Sequence, residues 1–499
     1  MKNNLGREVP FRPYTGAFDN VNYKEYNIEK QKEPKILKSW DEVLDSLDLK
    51  DGMTVSFHHH LRNGDKVLSA VMKELDKRKY KNITVAASSI FPCHEILVDL
   101  MEREVVTKIH CDYMSGPVAT AVSKGKCKEP CIITTHGGRP REILEEELNI
   151  DIAFLGVPTV DTQGNGTGSQ GRSNCGVLGY AIADAQMAKE VVLITDHLVD
   201  QVDHPEILGS WVDFILEVEE IGDPQGILSG TTQITKDPVG LMVAKKCIDL
   251  LDTLELLKEG MSFQTGAGGI SLAVAKYLKE YMKKHGIKGS FASGGITDYL
   301  VNMMEEGYFE TLEDVQCFTI GATKSIEKNK NHKKMSANEY ANINNKENIV
   351  NKLDIVILGA SEIDLDFHVN VSTGSNGEIL GGSGGHGDTA AGAKFSVIVS
   401  KLINSRISVV VDRVRTVTTP GETIDCLITD RGIVINPKHH ELIEKAKGNP
   451  NLDILTMEEL YERAIAYTGK PKKVEATDRP VAYSQYRDGT ILDTIYQVK

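Results

Sequence analysis

Asp151-Ile-Ala-Phe-Leu-Gly156, with Asp161 ten residues after its first aspartate, returns later in the chain as Asp354-Ile-Val-Ile-Leu-Gly359, with Asp364 at the same interval. Each stretch is a short apolar run closing on glycine, the pattern of a strand covered on both faces. Two more echoes follow at nearly the same offset. Asp51-Gly-Met-Thr-Val-Ser-Phe57 is answered by Glu259-Gly-Met-Ser-Phe263, which sets Ser56-Phe57 against Ser262-Phe263, and Asn82-Ile-Thr-Val-Ala-Ala-Ser-Ser-Ile90 falls on Lys288-Gly-Ser-Phe-Ala-Ser-Gly-Gly-Ile296. Three matches in the same order predict a duplicated unit.

Around these echoes, apolar runs at Thr54–Phe57, Ile83–Ala87, Ile132–Thr134, Ile152–Leu155 and Val191–Ile194 read as strands. Between them, Lys66–Lys77 and Tyr180–Lys189 carry helical spacing, and strands alternating with helices predict a mostly parallel sheet. The expected architecture is therefore two homologous open α/β domains, at 45–245 and 246–499, with any site lying between them. Residues 1–44 read as an arm broken by Pro10, Pro13 and Pro34, and Ile36–Leu49 has the spacing of an amphipathic helix.

The 499 residues carry a net charge of −14, so no global positive field exists to hold a nucleic acid or an anionic membrane. Eight cysteines at irregular spacings suit free thiols in a reducing compartment. The N-terminus MKNNLGREVPFRPYTGAF has no apolar leader core, and no run approaches the roughly 20 apolar residues of a membrane span. A cytoplasmic protein is expected.

Glycine is concentrated in three loops. Phe263-Gln-Thr-Gly-Ala-Gly-Gly-Ile270 leads from a strand into helical spacing at Leu272–Tyr281. The N–H groups around Gly266, Gly268 and Gly269 can meet an anion or a developing oxyanion there, or the loop is a tight turn. It is not a P-loop, since no Lys-Ser/Thr pair follows. Gly381-Gly-Ser-Gly-Gly-His-Gly-Asp388 has a glycine density that implies close approach of something to the backbone at Gly384, Gly385 and Gly387, with His386 and Asp388 as binding or anchoring residues. Gly164–Gly168, continuing to Gly179, reads equally well as a surface turn.

His58, His59 or His60 at a strand end can partner a carboxylate. So can Arg62, His136 and Arg139 beside glycines; each can equally be a loop residue with no ligand. Side chains alternate along a strand, so three consecutive histidines do not converge on one ion, and Cys127 and Cys131 lack a second pair; no metal site is expected. No G-x-S-x-G elbow is present.

Gly52-Met-Thr-Val-Ser-Phe-His-His59, Asp151-Ile-Ala-Phe-Leu-Gly-Val-Pro158, Phe263-Gln-Thr-Gly-Ala-Gly-Gly269, Phe291-Ala-Ser-Gly-Gly-Ile-Thr297 and Gly381–Thr389 together resemble the citrate lyase alpha-subunit family, the citrate CoA-transferase subunits. The likeness runs from about residue 45 to Lys499, and it implies two CoA-transferase-type α/β halves. It also implies a reaction in which the acetyl group of a thioester, on CoA or on the CoA-like prosthetic group of an acyl carrier (gamma) subunit, is exchanged for citryl. A beta subunit then cleaves the citryl thioester. No permanently bound cofactor is implied, and a homo-oligomer is expected.

Many two-domain CoA-transferases carry a nucleophilic Glu in a segment that, laid on this chain, puts Gly294 at the Glu. The resemblance therefore implies direct attack of citrate on the acetyl thioester through a mixed anhydride. Gly266–Gly269 would stabilise the oxyanion, Gly294 and Gly295 would leave room for the carboxylate, and Arg62, Arg139 and Arg172 would offset citrate's charge. The Gly381–Gly387 loop would take the pantetheine or phosphate part of the thioester. Lys324, Lys328, Lys330, Lys333 and Lys334 would face an acidic carrier, or solvent alone. A non-catalytic CoA-binding scaffold and an acyl-CoA hydrolase are the alternatives.

Overall fold

The computed structural model describes residues 1–228, 233–266, 268–471 and 474–499. Two large sheets dominate. The strands of the first, in chain order, are β1 (Lys35–Leu37), β2 (Thr54–Phe57), β3 (Ile83–Ala87), β4 (Val106–Cys111), β5 (Cys131–Ile133), β6 (Ile152–Gly156), β7 (Glu190–Thr195) and β8 (Phe214–Glu217). The second holds β9 (Phe263–Thr265), β10 (Gly289–Ile296), β11 (Phe309–Cys317), β12 (His332–Lys334), β13 (Ile355–Leu358), β14 (Phe395–Val399), β15 (Cys426–Thr429) and β16 (Gly432–Ile435). A C-terminal hairpin, β17 (Ala476–Gln485) and β18 (Ile491–Val498), completes the set.

The sheet orders are β1-β8-β7-β6-β2-β3-β4-β5-β17-β18 and β12-β11-β10-β9-β13-β14-β15-β16. From β2 the chain lays β3, β4 and β5 to one side and β6, β7 and β8 to the other; from β9 it repeats that order with β10 to β12 and β13 to β15. Neighbouring strands within both runs are parallel, and the pairs β15–β16 and β17–β18 are antiparallel.

Both faces of the second sheet are covered, as its apolar runs require. Ile355 and Ile357 pack into one core with Phe263 and Ala292, while Val356 and Leu358 enter another with Ile363 and Leu427.

The repeated aspartates have one local job in each half. Asp151 Oδ2 accepts the Thr54 N–H at 2.8 Å and its Oδ1 meets Lys189; Asp354 Oδ2 accepts the Ser262 N–H at 2.9 Å and its Oδ1 meets Lys394. Asp161 Oδ1 accepts the N–H groups two and four residues on, at Gln163 and Asn165, and Asp364 Oδ1 accepts those of Asp366 and His368. Short carboxylates close turns in this way by accepting nearby backbone donors. The bonds also correct the register of the first echo. Gly52 and Gly260 donate to the carbonyls of Lys81 and Lys288, and Thr54 answers Ser262, so the match runs from the Gly-Met end rather than from Ser56 to Ser262.

Two segments cross the expected partition. β1, inside the arm, pairs with β8 at one edge of the first sheet, and β17 pairs with β5 at the other, Ala482 opposite Cys131. The helix expected over Ile36–Leu49 is confined to Trp40–Ser46, because Ser39 caps it and Ile36 lies in β1. The arm itself is packed: Asn3 Nδ2 donates to the carbonyls of Ile491 and Leu492, and Tyr14 is buried edge-on to Tyr486. Among the described residues no helix is long and apolar enough to cross a membrane.

Candidate active site

The carboxyl ends of the two sets of parallel strands face each other across a seam, the usual place for a ligand in open α/β sheets. From the first half come His59 after β2, Asp112 and Tyr113 after β4, and His136 after β5. From the second come Gln264 on β9, Gly294 and Gly295 on β10, Gln316 on β11, Phe318, Tyr340 and the Gly381–Gly387 loop.

His59 is the hinge of the seam. Gln316 Oε1 accepts its Nε2–H at 2.9 Å, so Nδ1 accepts from Ser88 Oγ at 2.6 Å, and Gln316 Nε2 returns a bond to the His59 carbonyl. The His59 ring also packs against His136 and Tyr180. Burial pushes His59 and His60 well below the ordinary histidine value, and His58 down to about 4. His58 and His60 are bonded to each other through their Nδ1 atoms at 2.6 Å, and His58 Nε2 is bonded to the Gly156 carbonyl. The neutral cluster is therefore scaffolding: His58, expected to meet a carboxylate, has both ring nitrogens engaged within the first half.

His136 differs. Its Nδ1 donates to Asp112 Oδ2 at 2.9 Å, which leaves Nε2 directed toward the Gly384 backbone, and its side chain keeps 17% exposure. Asp112 is fully buried, and desolvation raises its pKa against the opposing effect of His136. The loop lies flat on this dyad: the His136 N–H donates to the Gly384 carbonyl at 2.8 Å and the Gly384 N–H to the Asp112 carbonyl at 3.2 Å. A Cβ at Gly382 would come within 2.3 Å of the Asp112 carbonyl oxygen, and one at Gly385 within 2.7 Å of Tyr340 Oη. The close approach that the glycine density implied is thus made by the protein itself, by Asp112 and His136 of the first half and by Tyr340 of the second.

Asp388 and His386 anchor that loop. Asp388 accepts from Thr135 Oγ1 and the Gly137 N–H, each at 2.9 Å, and lies 3.6 Å from Arg487 of the C-terminal hairpin. His386 is bonded to Thr419 Oγ1 and the Gly359 carbonyl, and burial pushes it down to about 4. Both of its nitrogens are used, which makes it a structural pin rather than a ligand donor. Gly387 sits in ordinary contact with Ser383 and Tyr486.

Gly294 and Gly295 do not leave open room. Gly294 has φ +98, and a Cβ there would meet Gln264 Nε2 at 2.6 Å; at Gly295 it would meet the Phe318 ring at 2.1 Å. Gln264 Nε2 in turn donates to Tyr340 Oη at 2.7 Å. The Arg62 guanidinium lies over Phe318 at 4.8 Å and near Phe91 at 5.4 Å. Its backbone is left-handed, φ 51, a strained conformation of the kind that gathers at functional sites.

The Gly266 loop packs between β13 of the second half and residues 233–235, the Thr235 N–H donating to the Gly269 carbonyl at 3.0 Å, with Ala267 outside the described residues. Gly266 N–H already donates to the Ile357 carbonyl at 2.7 Å. Gly268 starts the helix Gly269–His285 without a side-chain cap, so the first-turn N–H groups have no intrahelical acceptor. A Cβ on Gly269 would meet the Gln233 carbonyl oxygen at 3.0 Å.

Two expected arginines are placed elsewhere. Arg139 is 1% exposed and spends its charge on buried Asp184, so it cannot reach a ligand. Arg172 is 59% exposed and pairs with Asp196. Asp364, Asp366 and His368 bring ligand-type atoms within 4.8 Å of one another. Asp364 there closes the turn described above, while His368 Nδ1 accepts from the Gly421 N–H.

Several buried polar atoms at facing strand ends have no hydrogen-bond partner among the described residues: Asp112 Oδ1 and Thr134 Oγ1 on one side, Gln264 Oε1, Ser293 Oγ, Thr297 Oγ1 and Ser383 Oγ on the other. Such atoms are rare in folded proteins and call for a partner. Sequence reading missed Asp112, Gln264, Gln316 and Tyr340; Asp112 follows the mixed segment Thr107-Lys-Ile-His-Cys111, and none of the four stood out from its neighbours.

Residues 33–498 match the family model for citrate lyase, alpha subunit (CitF). The citrate lyase alpha chain of Haemophilus influenzae is 46% identical over 469 residues, 94% of each chain. That of Escherichia coli is 43% identical over 484 residues, 97% of this chain and 95% of the relative. A citrate-bound crystal structure from Streptococcus mutans, assigned to the alpha subunit of citrate lyase, superposes with a TM-score of 0.94 at 41% identity, covering 100% of both chains. A Pseudomonas malonate decarboxylase hetero-tetramer structure, at 16% identity and a TM-score of 0.66, covers 88% of this chain and 85% of its own and shares the fold.

Proposed function

The chain belongs to the citrate lyase alpha-subunit family, and from that membership we propose that it acts as a citrate CoA-transferase, exchanging the acetyl group of a thioester for citryl. A citrate carboxylate oxygen attacks the thioester carbonyl, the C–S bond breaks, and a mixed citric-acetic anhydride and a thiolate result. The thiolate then attacks the citryl carbonyl and acetate leaves. Both reacting groups come from substrates, so the protein supplies position, charge and oxyanion stabilisation.

The observation that carries this reading is the set of unpartnered buried polar atoms lining the seam, of a kind that a hydroxylated polycarboxylate can satisfy. Arg62, seated between Phe91 and Phe318, is the cation for citrate, and His136, held by Asp112, is a donor at the reacting carboxylate. The uncapped helix at Gly268–Gly269 supplies backbone donors for the oxyanion. Gln264 packed against Gly294 supports transfer without an acylated enzyme carboxylate, because the space a glutamate would need is filled.

The common strand order and the paired aspartate bonds support two homologous CoA-transferase-type halves, the hairpin β17–β18 serving the first. In this reading the chain works in the cytoplasm in a complex with a beta subunit and an acyl carrier subunit, as a homo-oligomer. Exposed Lys324, Lys328 and Lys330 offer a face to the carrier, while Lys334 is committed to Glu206 across the halves.

Purified protein given acetyl-CoA and citrate should form citryl-CoA and acetate, with slow thiol release when citrate is omitted. Rapid thiol release without any carboxylate would favour a hydrolase, for which the His136–Asp112 dyad could serve as base to water. Thioester binding with neither reaction, even with an acetylated carrier, would leave a non-catalytic subunit.

A further inference from the structure

Cys127-Lys-Glu-Pro-Cys131 has no part in the seam, yet the fold brings its two side chains into hydrogen-bond contact. The turn of residues 124–130 leads into β5. Lys124, Lys126, Lys128 and Glu129 stand exposed on it, while Cys127 is turned inward at 4% exposure and Cys131 opens the strand, fully buried. Both are free thiols, as are the other six cysteines.

The surroundings tolerate a bond between the two sulfurs. The Cys127 S–H donates to the Thr107 carbonyl at 3.2 Å, and that carbonyl also accepts the Glu129 N–H at 2.9 Å. Drawing the Cys127 sulfur onto Cys131 therefore leaves no buried acceptor without a donor, which is the loss that makes most rearrangements of a core costly.

The two sulfurs are also unequal. The Cys131 S–H, bonded to the Cys127 sulfur, holds the Cys127 thiol below its ordinary pKa and is itself pushed well above it. Lys126 and Lys128 are paired with Glu102 and Glu104, but Arg479 of β17 is in no ion pair among the described residues, and its Nη2 donates to the Cys127 carbonyl at 3.1 Å. A thiol with a donor on its sulfur and an unspent cation beside it has the setting of a reactive cysteine. The remaining cysteines lack it: burial pushes Cys93, the most exposed, up to about 12, and raises Cys111, Cys175, Cys247, Cys317 and Cys426.

We propose that Cys127 and Cys131 are a redox-modification site, which a hydroperoxide converts to an intrachain disulfide. The Cys127 thiolate attacks one peroxide oxygen, the O–O bond breaks, and Cys127 becomes a sulfenic acid while the other oxygen leaves as hydroxide. The Cys131 sulfur then displaces the sulfenic hydroxyl and the S–S bond forms. Two electrons pass from the sulfurs to the peroxide, and with hydrogen peroxide the two thiol protons end in the two waters released. The bond staples the turn that holds Arg479 to β5, on which the C-terminal hairpin is seated at Ala482. Nothing in this depends on the reaction assigned to the seam.

The test is differential alkylation of the reduced full chain after equimolar hydrogen peroxide, mapped by peptide mass. Two of the eight thiols should be lost together, in a peptide two hydrogens lighter that holds Cys127 and Cys131, and dithiothreitol should restore both. Their loss should outpace any change at Cys93 by about tenfold or more, as the difference in thiolate character requires. In Cys131→Ala the reaction should stop at a Cys127 sulfenic acid that dimedone captures, and in Cys127→Ala the Cys131 thiol should survive. The wild-type map stands whether or not either variant folds. Oxidation that begins at Cys93, a bond from Cys131 to Cys111, dimedone capture at Cys131 in Cys127→Ala, or a full complement of free thiols after peroxide would overturn the proposal.

Discussion

Gly294→Ala should cost both stability and turnover, and its size can be worked from two separate terms. The backbone at φ +98 lies where an L side chain is strained, at about 1–3 kcal/mol. The new methyl would also stand 2.6 Å from Gln264 Nε2 and must push that amide off Tyr340, losing a buried hydrogen bond of about 1 kcal/mol. The sum is about 2–4 kcal/mol, read from urea unfolding at unchanged slope. Turnover of acetyl-CoA with citrate should fall at least tenfold, since about 1.4 kcal/mol of lost positioning is enough for that. Adding Gln264→Ala removes the collision and not the strain, so the double variant should cost less than the two single changes summed. A Gly294→Ala protein within about 0.5 kcal/mol of wild type, with full turnover, would refute the claim that glycine is needed beside Gln264.

Asp112→Asn should lower kcat by about a hundredfold with little change in KM, because the carboxylate orients His136; His136→Gln should do the same, and the double variant no worse, in steady-state assays. Undiminished kcat in His136→Gln would remove the dyad from the reaction. Burial holds His386 and His58 at about 4 against an ordinary 6.5, so the unfolded chain takes up their protons first as pH falls. The stability they contribute is complete above pH 6.5 and is lost as pH drops to 4, about 3 kcal/mol for each. His386→Gln should therefore flatten unfolding stability across that window, and an unchanged pH profile would contradict the burial argument. Arg487→Met strands Asp388 in the core and should cost about 3–5 kcal/mol by denaturant unfolding, while Arg487→Met with Asp388→Leu should recover part of it.

What depends on neighbours along the chain is legible in the order of the residues. Apolar runs became strands because five or so alternating residues suffice to cover two faces, and Asp151, Asp161, Asp354 and Asp364 marked the repeat because each closes its own turn or strand start. Glycine density at 381–387 announced a close approach without naming what approached. Which charges are spent and which are left follows from how the two sheets meet. Arg139 lost its charge to Asp184, the three histidines were neutralised by burial, and Gly294 and Gly295 made room for Gln264 and Phe318 rather than for a ligand. The tertiary structure also returned β17 and β18 to the first sheet and set Arg487 against Asp388. A polar side chain's partner is set by which strand ends the two sheets bring face to face, and that pairing joins residues hundreds of positions apart with no period or spacing to record it.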